Sequence, residues 1–389
     1  QDLHGDQGPP ALYHQRPHLG INEYRKVRTN KEMFLMTGSI VGTKKTYTPA
    51  FDLLNIAACI SVVILHVNGA IWDFSYGRYW VTSLILECAF YWAVPVFFML
   101  SGATLVDYRE RYNTKAFFIH RFSKTLPPFL FWSVVSVFWA VYSQHSLPVD
   151  MLTDWRAWID IIFNTKAMSI YWFFIPLFAL YLCIPFISSV PETARIKVFG
   201  FAFLYSFISG SCLPLLFQLA GIPYNAAINS PINGGGYVIF VLLGYLLTHI
   251  RFTKMQAIAI YALGIFGLLL RYIGTLVKSY KLGSIDNTFY GYSNFPSVVL
   301  AVAVFLWFWR RDWSFFANGH RKNALRNLSS VSFGVYLVHM YFLRFFVDTY
   351  SINMRSWQWR SLGVAVVYAV SLVFVLILKQ IPYLKRLVP

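Results

Sequence analysis

From about residue 48 onward, apolar residues no longer alternate with polar ones but run together in long blocks joined by short polar connections. The blocks fall near residues 50–70, 79–105, 125–144, 170–190, 198–220, 234–250, 255–277, 294–309, 328–348 and 360–380. At about 1.5 Å of rise per residue, blocks of this kind span a hydrocarbon layer about 30 Å thick. They predict an all-α, polytopic integral membrane protein with about ten transmembrane helices. Proline and glycine inside several blocks are compatible with this, because neighbouring helices satisfy the freed backbone groups. Trp155–Phe163, reading WRAWIDIIF, has the pattern of a short amphipathic helix lying at the interface. Asn233-Gly-Gly-Gly236 is expected to form a flexible turn before the sixth block. Residues 1–47 are polar. Their one apolar stretch, Met33–Val41, is too short for a cleavable signal and lacks a basic start. We therefore divide the chain into a cytosolic polar tail, 1–47, left out of the mechanism, and a transmembrane domain, 48–389.

Composition agrees with this division. The chain is 57% hydrophobic and 13% charged, with a mean hydropathy of +0.52. A soluble globular chain carries roughly 25% charged residues, so a soluble fold lacks the charge to cover its surface. Disordered chains are excluded by the same figures. The net charge of +17 would suggest nucleic acid in a soluble protein. Here the basic residues sit in short clusters between apolar blocks, so no nucleic-acid partner is expected. The tail, the alternate connections and the C-terminal segment together carry 24 Lys and Arg, against seven on the opposite side. The positive-inside rule then places both termini in the cytosol and the protein in the inner (plasma) membrane as a multi-pass chain. Cys59, Cys88, Cys183 and Cys212 lie within apolar runs without paired spacing, so neither a disulfide nor a metal site is expected. No P-loop, H-E-x-x-H or G-x-S-x-G motif occurs.

Ionisable groups inside a membrane span are costly, and each is a functional candidate. His66 lies about 24 Å along the first helix, near the outer face. It reads either as a packed histidine closing the helix or as a neutral base able to accept a proton. Glu87 enters from the outside, about 12 Å deep on the second helix. It reads either as an interhelical hydrogen-bonding group or as the residue that orients His66. Asp52 lies about 21 Å below His66, too far for direct pairing, and suits the start of its helix. His339 falls about 16 Å into the ninth helix, near mid-membrane, where a hydrogen-bonded structural role competes with a functional one. Arg271 and Arg344 lie toward outer helix ends, where each either snorkels to the interface or holds an anionic substrate group. Arg121 and Lys124 are three apart on one helix face at the cytosolic end, a placement that suits either membrane anchoring or a phosphate. Outer connections are rich in Trp, Tyr and Asn, as an aromatic belt requires, and sugar stacking is open to the same residues.

Four stretches together resemble the acyltransferase 3 family of membrane O-acyltransferases. They are FDLLNIAACISVVILHV (51–67), VPVFFMLSG (94–102), RFSKTLPPFLFW (121–132) and SFGVYLVH (332–339), and YWFFIPLFALYLCIP (171–185) is similar to the family's aromatic-rich helix. The resemblance covers about residues 48–380. It departs where the family usually carries basic residues, at Asn55 and Tyr91, and at Tyr171, which is often histidine. Lys124 replaces the second arginine of an R-x-x-R motif.

The resemblance implies transfer of an acyl group, acetyl in the first instance, from cytosolic acyl-coenzyme A to a hydroxyl of a cell-envelope glycan or its lipid-linked precursor. It implies that His66 is the base or a relay nucleophile, with Glu87 orienting it and His339 polarising the thioester or positioning the donor arm. Arg121, Lys124 and Asn55 would meet the donor phosphates. Arg271, Arg344, Tyr171 and Trp172 would meet the acceptor. Membrane lipids and the glycan acceptor are the expected partners, and no metal is required. Two other readings fit the same residues: a transporter or flippase with His66, Glu87 and Arg271 along a polar path, and a non-catalytic relative in which Asn55 and Tyr91 mark altered chemistry.

Overall fold

The computed structural model describes residues 47–230 and 235–389. The expected polar tail lies outside the described residues except for Tyr47, as do Asn233 and Gly234 of the glycine turn. Gly235 and Gly236 do turn with positive φ, 72° and 90°. The described residues form helices and connections, with no strand among them.

Thirteen α-helices follow in order. They are α1 (Pro49–Val67), α2 (Arg78–Phe90), α3 (Ala93–Leu105), α4 (Thr114–Tyr142), α5 (Trp155–Phe163), α6 (Phe174–Ser188) and α7 (Glu192–Phe207), then α8 (Leu213–Ala220), α9 (Val238–His249), α10 (Lys254–Leu282), α11 (Phe295–Arg310), α12 (Gly319–Thr349) and α13 (Val364–Gln380). Eight helical segments are long and apolar enough to cross a membrane, and α9 and α11 are shorter apolar helices. These ten elements coincide with the ten apolar blocks. The block 79–105 is broken at Tyr91–Trp92 into α2 and α3, and α7 and α8 are joined by a π-helical turn at Ile208–Cys212. The amphipathic helix is found at Trp155–Phe163, as the pattern predicts.

Helix starts are set by local chemistry. Asn113 accepts a hydrogen bond from Ala116 N at 2.9 Å and starts α4 well before the apolar block at 125. Thr253 and Gln256 form a reciprocal capping box at the head of α10, which ends at Gly283 in the left-handed conformation. Long apolar side chains on α10, among them Ile258, Ile265, Leu269 and Ile273, point outward. A helix that is apolar on both its packed and its open face is what a lipid environment requires.

Helix α1 runs at the centre, packed against α3, α12 and α13. Three side-chain contacts join it to α12: Asn55 to Ser329, Cys59 to Ser332 and His66 to His339. Their sequence separations are 274, 273 and 273, so the two helices run parallel and hold one register along their length. Helix α3 crosses α9 where two glycines remove both side chains. A Cβ at Gly102 would lie 2.0 Å from Val241 O, and one at Gly244 would lie 1.8 Å from Met99 O. Small residues at such a crossing let the backbones touch.

This crossing gives a stability test. Gly244→Ala is expected to destabilise the protein by about 1–3 kcal/mol through overpacking. Gly200→Ala on α7, where the new methyl meets nothing within 4 Å, is expected to leave stability unchanged or slightly raised. Thermal unfolding in detergent measures both.

Candidate active site

His66 occupies the last turn of α1. Its Nδ1 lies 2.8 Å from His339 Nε2, with the ring centroids 5.0 Å apart and the planes 25° apart. His339 is fully buried. Its other nitrogen, Nδ1, faces two backbone carbonyls of α12, Tyr336 O at 2.8 Å and Val335 O at 3.1 Å. Carbonyl oxygens only accept, so Nδ1 of His339 carries the hydrogen. In a neutral imidazole, Nε2 of His339 is then the acceptor. His66 must therefore donate from Nδ1, which leaves a lone pair on His66 Nε2. No described residue hydrogen-bonds to that nitrogen. The carbonyls of α12 thus set the tautomer of both rings.

A cavity of about 430 Å³ adjoins this pair, and His66 lines it. Its walls come from the helix ends facing away from the Lys/Arg clusters, including the turn Gly69–Trp72, the turn Ser169–Phe173 and the connection carrying Tyr290 and Tyr292. With Nδ1 turned to His339, Nε2 is the edge of His66 left for the cavity. Trp172 stacks on Tyr292 (5.5 Å, 14°) and Tyr292 stacks on Tyr91 (4.2 Å, 13°), giving an aromatic wall. Glu87 and Arg344 also line the cavity.

Several expected roles change in the structure. Glu87 does not orient His66: no hydrogen bond joins them, and the carboxylate, buried at the cavity wall, interacts electrostatically with Arg271. The hydrogen-bond partner of His66 is His339 instead. Counted from an apolar block that begins at 328, His339 falls at a different depth from His66. Helix α12 begins at 319, and its parallel register with α1 puts His339 level with His66. His339 does not line the cavity, and its Nε2 is taken by His66.

Tyr171 does not line the cavity. It is buried, and its hydroxyl donates to Leu337 O at 2.8 Å while Tyr336 donates to Ile170 O. These two bonds clamp the turn Ser169–Phe173 to α12 beside His339, and this places Trp172, which does line the cavity. Arg271 does not snorkel and does not line the cavity. It is 5% exposed, its NH1 donates to Ser297 Oγ at 3.2 Å, and its guanidinium carbon lies 3.4 Å from the Tyr91 ring centroid. Arg344, in contrast, is exposed where it lines the cavity.

Asn55 serves as a tie between helices: its Nδ2 donates to Ser329 O at 2.9 Å and Ser329 Oγ at 3.0 Å. Being neutral and engaged in this way, it has no charge to offer a phosphate. Arg121 and Lys124 lie within α4, half-buried and exposed respectively, and neither lines the cavity that holds His66. Asp52 sits in the first turn of α1 and accepts a hydrogen bond from Tyr47 at 2.7 Å. Among the described residues no group of three His, Cys, Asp or Glu is placed to hold a metal ion.

The sequence reading missed Tyr290 and Tyr292, which complete the cavity. Their only sequence signal is a Tyr-Gly-Tyr run inside a polar connection. It also missed Arg360. Counted as an outer-loop residue, this side chain is buried and donates to Tyr79 O, Thr82 Oγ1 and Ser83 Oγ, tying α13 to α2.

Helices that turn apolar faces outward around an internal cavity walled by a histidine pair define a multi-pass membrane protein. The family comparison gives that class a chemistry. The acyltransferase domain model of the acyltransferase 3 family matches residues 48–379, nearly the whole chain. The chain belongs to this family, and it is a membrane acyltransferase. Neither a curated protein nor a solved structure matches it.

The histidine pair is testable by what replaces the acceptor. His339→Leu leaves His66 Nδ1–H without a partner and frees the tautomer. Turnover is then expected to fall about 10²-fold. His339→Gln keeps an acceptor and is expected to recover part of that loss. The rate–pH profile, taken with thermal unfolding, separates a changed base from a damaged fold.

Proposed function

We propose that the protein transfers an acyl group, acetyl in the first instance, from acyl-coenzyme A supplied on the Lys/Arg-rich side to a hydroxyl of an envelope glycan or lipid-linked precursor on the opposite side. The observation that carries this reading is the free lone pair of His66 Nε2 at the wall of an aromatic cavity. That nitrogen takes the proton of the acceptor hydroxyl as the oxygen attacks the thioester carbon. The carbon–sulfur bond then breaks, and the thiolate leaves with the proton from His66. The pair needs no net charge in its resting form, which suits a site buried among apolar helices.

The acceptor end of the cavity has two features suited to a hydroxylated ring. Trp172, backed by Tyr292, offers an apolar ring for stacking, and the Glu87 carboxylate offers acceptors for hydroxyl groups. Arg344, exposed at the cavity edge, suits an anionic group such as the phosphate of a lipid-linked precursor. At the other end of the bundle, Arg121 and Lys124 on one face of α4 are the groups we assign to the donor phosphates. The acyl arm then threads between the helices to His66. With the positive-inside orientation, donor and acceptor approach from opposite sides of the inner membrane.

Release of free thiol from acetyl-coenzyme A by purified protein in the presence of a glycan acceptor tests this reading. His66→Ala is expected to remove acyl transfer while the protein stays folded, and wild-type turnover in that variant would return His66 to a packing role. Arg121→Ala combined with Lys124→Ala is expected to weaken donor binding, most clearly at low salt. Unchanged donor affinity would assign that pair to membrane anchoring alone.

A further inference from the structure

Tyr91 occupies the break between α2 and α3 and lines the cavity beside His66. It is 2% exposed, and its hydroxyl oxygen is buried with no partner in hydrogen-bond geometry, the neighbouring hydroxyl being that of Tyr290 on the same cavity wall. A buried hydroxyl left unpaired destabilises a fold, and a phenylalanine ring would fill the same space without that cost. The ring is also held from both faces. The Arg271 guanidinium carbon lies 3.4 Å from its centroid, and Tyr292 stacks 4.2 Å away at 13°. Arg271 is itself buried, donates to Ser297 Oγ, and interacts with Cys88 and Glu87. A cation on the face of a phenol stabilises negative charge building on its oxygen, and so strengthens the O–H as a donor.

We propose that the Tyr91 hydroxyl is the hydrogen-bond donor to the acyl carbonyl oxygen during transfer, with Arg271 as a positioning residue that acts through the ring. This rests on the acyl-transfer reading above. As the acceptor oxygen bonds to the carbonyl carbon, its proton passes to His66 Nε2 and the carbonyl electron pair moves onto oxygen. Tyr91 O–H holds that oxyanion without giving up its proton. The electron pair then returns, the carbon–sulfur bond breaks, and the thiolate takes the proton from His66. The unpaired hydroxyl of the resting site is thus reserved for an oxygen that becomes charged only in the transition state.

The test is Tyr91→Phe, assayed by thiol release from acetyl-coenzyme A with methyl β-glucopyranoside as the acceptor probe and His66→Ala as background. We expect kcat to fall about 10²- to 10³-fold with KM for the donor unchanged. The thermal midpoint is expected to stay the same or rise, because the unpaired hydroxyl is gone. A kcat within twofold of wild type, or a kcat and a thermal midpoint that fall together, overturns the proposal. Arg271→Gln is expected to lower kcat in the wild-type background and to add nothing in the Tyr91→Phe background. Independent, additive losses overturn the role of Arg271. Wild-type protein that releases no thiol above background overturns the acyl-transfer reading and this proposal with it, whereas an active wild type with an equally active Tyr91→Phe overturns this proposal alone.

Discussion

Two backbone carbonyls near the middle of one helix set the tautomers of the buried histidine pair. Val335 O and Tyr336 O lie against His339 Nδ1 and fix where its hydrogen sits. The hydrogen bond to His66 passes that decision across to α1, and the free lone pair appears at the cavity. This chain of constraint works only if α1 and α12 hold one register. The Asn55–Ser329 and Cys59–Ser332 contacts hold it below the histidines, and the Tyr171 and Tyr336 clamps fix the turn above the next face of α12. Gly334 lets α13 close in on the same helix, where a Cβ would lie 2.6 Å from Val375 Cγ1. The site is therefore built on rigid helices, and its geometry follows from their packing.

The membrane makes each polar group in that packing consequential. In a medium with little water, a donor or acceptor without a partner is costly, so the pairings are informative. Arg360 spends one guanidinium nitrogen on three oxygens of α2. Asp107 and Arg195, both buried, pair at 2.8 Å. Three polar groups gather at the cavity: His66 Nε2, the Tyr91 hydroxyl and the Glu87 carboxylate. They meet an aromatic wall, whereas other unpaired buried atoms, such as Arg360 Nε, Ser211 Oγ and Tyr368 Oη, belong to residues that do not line the cavity.

Much of the fold was legible in the sequence. Ten apolar blocks became ten apolar helical segments, and the interfacial helix Trp155–Phe163 was found where its period placed it. Helix ends were less legible. Asn113 and Gly319 start α4 and α12 well before hydropathy rises, because a cap or a glycine sets a helix end independently of lipid contact. That difference separates His339 from His66 in a count along the sequence, whereas the structure brings them level.

The chain by itself determined the membrane class, the number of apolar blocks, the alternation of charge between connections and the value of His66 as a candidate. These follow from transfer free energies and charge counts, which are properties of a linear sequence. Only the tertiary structure decided which residue His66 faces. It also turned Tyr171 into a clamp, Asn55 into a tie and Arg271 into the support of Tyr91. Hydrogen bonds and ring stacks between residues some 170 to 280 positions apart depend on helix register. Register is set by the packing of several helices at once, and it leaves no local mark in the sequence.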